Sequence, residues 1–205
     1  MHVPTAVRAL AGYYVMAISG AVGLIWKMKL ADMVMKSAAI IGAVLTFLAL
    51  FTGAVWGKPT WGTWWVWDAR ITSMVLLLFL YLGVIALQEA YQSRDTANKA
   101  SAILALVGTV NIPIIYKSVD WWYTLHQPAT IKFTSQSTIH PSMFYPLLTM
   151  IIGFYCFYAL ALIMQTRVEI LQRERRTQWV RDIVEGGEEK GKGKREKGKV
   201  EGSTA

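Results

Sequence analysis

The chain has 205 residues, 54% of them hydrophobic and only 17% charged, with a mean hydropathy of +0.36. So apolar a composition in so short a chain excludes an ordinary soluble globular domain. The charge is also unevenly spread: of 21 Lys/Arg and 13 Asp/Glu, residues 165–205 hold 11 and 8, so the first 164 residues are suited to lipid rather than water. The net charge of +8 does not point to nucleic acid, because the basic residues fall in short segments between apolar runs and in the tail, as orientation in a membrane requires. The single cysteine, Cys156, lies inside an apolar run, so there is no disulfide framework and no Cys-x-x-Cys redox pair.

A bilayer core of about 30 Å takes about 20 helical residues at 1.5 Å each. Five stretches meet that length, 4–26, 37–56, 71–91, 98–116 and 142–164. They are too long for strands and lack period-two alternation, so the expected fold is all-α: a polytopic membrane bundle of five transmembrane helices within residues 1–164. Asn111 and Pro113 mark a local break near the end of the fourth span. Residues 165–185 read as a basic, partly helical extension. The Gly/Lys/Glu-rich residues 186–205 read as a disordered tail near anionic lipid. Met1-His2-Val3-Pro4 has no basic n-region and runs directly into the first span, so no cleavable signal is expected.

The connecting segments alternate between the two sides of the membrane. One side receives Lys27, Lys29 and Lys36, then Arg94 and Lys99, then the basic tail; the other has Arg8, Lys58, Arg70, Lys117 and Lys132. The short 27–36 loop with three lysines decides the orientation, and the C-terminus is expected in the cytoplasm. Glu89 falls near the cytoplasmic end of its helix, where it can reach the interface and needs no proton-relay role. The N-terminus, the 57–70 loop and the 117–141 loop then share the outer face. Those three segments contain all three histidines, His2, His126 and His140, and six of the nine tryptophans, with Trp56 adjoining them at the end of the second span.

Trp56, Trp61, Trp64, Trp65 and Trp67 fall within a dozen residues, interrupted by Gly57, Lys58, Pro59, Gly62 and Thr63 and followed by Asp68 and Arg70. An interfacial aromatic belt takes one or two tryptophans per helix end, so five in one loop imply a ligand. Indoles offer broad stacking area at small entropic cost, which suits a planar, apolar molecule such as haem or quinone. The histidines favour haem, because two neutral imidazoles can complete six-coordinate iron. His2 precedes Pro4, which reads as the first helical position, and His126 lies beside Trp121, Trp122 and Tyr123. There is no Cys-x-x-Cys-His motif for covalent haem. Arg70 or Lys58 could pair with propionates. His140, before Pro141, reads as a helix-start residue and not as a ligand. Asp68 either caps the third span or orients a tryptophan or a partner's surface.

The string WGKPTWGTWWVWDARITS, with HVP at the first span and NIPIIYKSVDWWYTLHQ later, resembles the haem exporter protein C family of cytochrome c maturation. The resemblance extends from about His2 to about Met164. The tryptophan–Asp string is shared with the wider group of haem-handling membrane proteins, and the TLHQ context favours the C protein. It implies that His2 and His126 are axial ligands of haem iron, and that Trp61, Gly62, Thr63, Trp64, Trp65, Trp67 and Asp68 form the haem platform and the contact for a chaperone. It implies further a periplasmic site in the inner membrane, delivery to a membrane-anchored haem chaperone, and an ATP-binding-cassette complex and a small membrane adaptor as partners. The chain itself would be a handling protein and not an enzyme. The family has six spans, the first ahead of the HVP histidine, so a further span upstream of Met1 is expected. The rival from another class is a quinone- or haem-binding anchor subunit of an electron-transfer complex, against which stands the absence of histidine from the span interiors. A second rival is a structural subunit whose tryptophans grip a partner; purified protein without a Soret band would favour it.

Overall fold

The computed structural model describes residues 2–122, 124, 126 and 140–183. Six helices follow in order: α1 His2–Trp26, α2 Lys29–Trp61, α3 Ala69–Ala90, α4 Arg94–Gly108, α5 Asn111–Trp121 and α6 Pro141–Arg173. The described residues contain no strand. With α4 and α5 taken as one span, five helical segments among the described residues are long and apolar enough to cross a membrane. This is the all-α polytopic architecture expected from the periodicity and length of the apolar runs.

The fourth span breaks where Asn111 and Pro113 suggested. Thr109 and Val110 turn between α4 and α5, their N–H groups donating to the carbonyls of Leu106 (3.1 Å) and Val107 (3.3 Å). Pro113 then falls in the first turn of α5, where no intrahelical N–H is required. The buried Asn111 amide donates to the carbonyl of Ser73 at 3.0 Å, so the interruption carries its own polar partner.

Three boundaries differ from the expected ones. α1 begins at His2, which moves Pro4 from the first helical position to later in the first turn. The lysine-rich 27–36 segment is mostly helix: only Lys27, at φ 53, and Met28 separate α1 from α2, because KLADMVMK contains no Gly or Pro to stop a helix. At its other end α2 does not stop at Trp56. It continues through Pro59 to Trp61 and terminates on Gly62, whose φ of 78 gives the left-handed cap that only glycine takes without strain. Pro59 withdraws one hydrogen bond, at an exposed helix end, where the freed carbonyl is least costly.

The chain divides into two compact units, 1–165 and 166 onward. In the first, α1 and α2 bury small residues, among them Ala9, Gly12, Gly20, Ala38, Gly42 and Ala49, which let neighbouring elements approach their backbones closely. Tyr13 and Tyr81 fill the core edge to face at 5.1 Å, and the Tyr81 hydroxyl donates to the Ala9 carbonyl at 2.9 Å. Arg8, expected near the outer face, is buried against the rings of Tyr155 (4.4 Å) and Tyr158 (3.7 Å), a cation–π clamp between α1 and α6. At the opposite end of the bundle Lys36 pairs with Glu89 at 3.5 Å, which accounts for that acid as an interfacial charge. In the second unit, after a turn at Glu174–Thr177, residues 178–183 form a further helical turn and the Trp179 indole donates to Glu174 at 2.9 Å. The expected disordered segment 186–205 lies outside the described residues.

Candidate functional site

The beginning of α1, the end of α2, the connection 62–68, the beginning of α3 and the residues following α5 carry the histidines and tryptophans singled out in the sequence. Side-chain contacts join these elements.

His2 lies against α2. Its Nδ1 is 3.2 Å from the Thr52 hydroxyl, and a Cβ added at Gly53 would stand 2.9 Å from its Cε1. The imidazole thus occupies space that any other residue at position 53 would contest. The ring also lies within electrostatic range of His126 and Arg70.

His126 is held from two directions. Its ring meets Trp61 edge to face, with centroids 4.8 Å apart, and its Nδ1 lies 3.0 Å from Oδ2 of Asp68, which is 9% exposed. Asp68 does more than one thing. It is the N-cap of α3, its Oδ1 accepting the Ile71 N–H at 2.8 Å, so the capping expectation holds. The other oxygen orients a histidine rather than a tryptophan. Trp61 in turn rests on Gly57, where an added Cβ would be 3.1 Å from the indole. Ala49, Gly53, Gly57 and Trp61 recur every four residues along one face of α2, with His2 seated at Gly53 and His126 at Trp61. Eight residues separate those two positions, about 12 Å along the axis.

The tryptophans are not all in a loop, because the longer α2 carries Trp56 and Trp61, which pack edge to face at 5.3 Å. Thr63, Trp64, Trp65 and Trp67 belong to the connection. The Thr63 hydroxyl donates to the Trp65 carbonyl at 3.1 Å and the Asp68 N–H to Val66 at 2.9 Å, giving the segment internal order. Trp65 and Trp67 meet edge to face at 5.3 Å. Trp64 and Trp67 present most of their surface outward, at 57% and 71% exposure, and the buried Trp65 indole N–H has no partner among the described residues. Trp121 ends α5 and Trp122 caps it, both exposed. Tyr123 lies outside the described residues.

Arg70, half-buried, lies within electrostatic range of Asp68, Tyr116 and the His2 ring. Lys58 instead turns its ammonium onto the Gly62 carbonyl at 3.1 Å, closing the end of α2. Of the two cations expected near a ligand carboxylate, Arg70 lies within electrostatic range of His2, and Lys58 is engaged at a helix terminus. His140 precedes α6 and lies 2.8 Å from the Ser142 hydroxyl, a helix-start role as expected.

Residues 1–181 match the family model of heme exporter protein C, CcmC. The chain belongs to the heme exporter protein C family. It is 49% identical over 184 residues to heme exporter protein C of Escherichia coli, an alignment covering 90% of this chain and 74% of that protein. It is 44% identical over 185 residues to heme exporter protein C of Haemophilus influenzae, covering 90% and 75%. The protein of that name from Bradyrhizobium diazoefficiens is 46% identical over 177 residues, covering 86% and 67%.

Within this family member, the residues that sequence reasoning missed are Thr52, Gly53 and Gly57. Their signal was present as the four-residue spacing ending at Trp61, but small residues at that spacing also serve helix packing, and only the position of His2 separates the two uses.

Proposed function

We propose that this chain binds haem b noncovalently at the outer, periplasmic face of the inner membrane, between His2 and His126. It then passes the haem to a membrane-anchored chaperone of cytochrome c maturation. The observation that carries this reading is the pairing of the Trp61–His126–Asp68 cluster with a second histidine, His2, seated on the same helix face. Among the described residues no group of three His, Cys, Asp or Glu side chains gathers as for a bare metal ion. A metal whose equatorial ligands come from a macrocycle needs only two such side chains. The exposed indoles of Trp64 and Trp67 offer apolar, planar area to the porphyrin or to the acceptor, and Arg70 supplies a cation for a propionate.

The relatives named heme exporter protein C support a role in haem export. In this reading the chain contributes a docking site and no bond rearrangement, while an ATP-binding-cassette complex and a small membrane adaptor supply the energy and the organisation of the handover. The lysines at the α1–α2 turn and the basic C-terminal segment support a cytoplasmic C-terminus. The test is the absorption spectrum of the chain purified in detergent and loaded with haemin. A low-spin Soret spectrum that is lost or altered in both His2→Ala and His126→Ala is expected; an unaltered spectrum in both variants would reject the axial pair.

A further inference from the structure

The two histidines have partners of different chemistry. Nδ1 of His126 faces the Asp68 carboxylate, which can only accept, so the ring donates there and its lone pair is on Nε2. Nδ1 of His2 faces a hydroxyl, and the direction of that bond follows from the next one. The Thr52 hydroxyl already donates its hydrogen to the Leu48 carbonyl at 2.7 Å. It therefore accepts from Nδ1–H of His2 at 3.2 Å, so the lone pair of His2 is also on Nε2. Both rings are thus set in the same tautomer, one by a charged partner and one by a neutral one.

Resting on the proposed axial pair, we infer that the two ligands are unequal: His126 anchors the haem, and His2 is the ligand that exchanges first at handover. A hydrogen bond to a carboxylate makes the opposite nitrogen a stronger electron-pair donor than a bond to a neutral hydroxyl does. His126 is restrained by the Asp68 carboxylate and the edge of Trp61, whereas the partners of the His2 ring, the Thr52 hydroxyl and the Ala49 carbonyl, are both neutral. Asp68 and Thr52 act as positioning residues. Handover begins when the bond from iron to Nε2 of His2 breaks and a donor atom of the acceptor takes its place; the iron keeps its oxidation state and no proton need move.

The experiment uses the full chain in detergent loaded with haemin, following the low-spin fraction by absorption and haem loss to excess apomyoglobin. His126→Ala and Asp68→Asn are expected to speed haem loss about tenfold more than His2→Ala and Thr52→Val, the scale of an outer-shell effect on a metal ligand. His2→Ala keeps its haem in a high-spin form that added imidazole returns to low spin. Thr52→Val raises the high-spin fraction and Thr52→Ser restores the parent spectrum, which a packing role for position 52 would not predict. Asn at 68 still caps α3, so the Asp68→Asn result reports the histidine and not a lost helix. Equal rates of loss in His2→Ala and His126→Ala, or faster loss in His2→Ala, would overturn the inequality. A spectrum unmoved by either histidine change would instead overturn the axial pair itself.

Discussion

Asp68 joins the start of α3 to His126: one carboxylate oxygen accepts the Ile71 N–H at 2.8 Å and the other lies 3.0 Å from the imidazole Nδ1. The residue that begins a transmembrane helix thereby fixes the angle of a side chain 58 positions away. Substitutions at 68 should separate the two duties. Asp68→Ala removes both and should lower stability by about 1 kcal/mol, the usual worth of an N-cap. Asp68→Asn should retain that stability and affect only haem binding. Thermal unfolding of the two variants in the same detergent, without haem, checks the first part, and equal losses of stability would contradict it.

Gly53 and Gly62 should respond oppositely. A branched side chain at Gly53 must displace the His2 ring, since even a Cβ would come within 2.9 Å of Cε1. Gly53→Val is therefore expected to lose the low-spin haem spectrum while α-helical circular dichroism is kept. At Gly62 an added Cβ meets nothing within 4 Å, but the φ of 78 disfavours it. Gly62→Ala should cost about 1 kcal/mol of stability and leave the haem spectrum intact.

Gly42 tests the bundle rather than the site. Its hydrogen faces the ring of Tyr81, which is fully buried and tied to the Ala9 carbonyl. Gly42→Val places three carbons in that ring's space, an overpacking worth about 1–3 kcal/mol. A lower unfolding temperature and a smaller monodisperse fraction on size-exclusion chromatography are expected; a stability equal to the parent's would show that Tyr81 can relax.

Orientation can be read with cysteines. After Cys156→Ser, a single cysteine at Thr60, on the exposed end of α2, is expected to react with a membrane-impermeant maleimide in intact cells. A cysteine at Met28, in the turn between α1 and α2, should react only after the membrane is opened. The reverse pattern would invert the topology inferred from the lysines.

The architecture was legible in the sequence because a bilayer leaves so few solutions. Every backbone polar group must be satisfied within its own segment, so apolar runs of about 20 residues mean helices, and parity assigns their ends to two faces. The same logic exposed the break at Asn111–Pro113 and the tryptophan-rich end of the bundle. Helix limits were less legible. KLADMVMK and WGKPTW read as connections because of their charges, glycine and proline, whereas a helix of 33 residues simply extends past the apolar core until Gly62 turns it.

Residue types and their order along the chain thus determined the class, the number of spans and the end of the molecule rich in histidine and tryptophan. Tertiary structure alone decided that Thr52 and Gly53 hold His2, that Trp61 rather than Trp64 or Trp67 meets His126, and that Asp68 bonds an imidazole as well as a helix. Hydropathy is a property of each segment and survives in one dimension. A contact between residues 50 or more apart depends on the rotation and depth of two packed helices, which no single segment records.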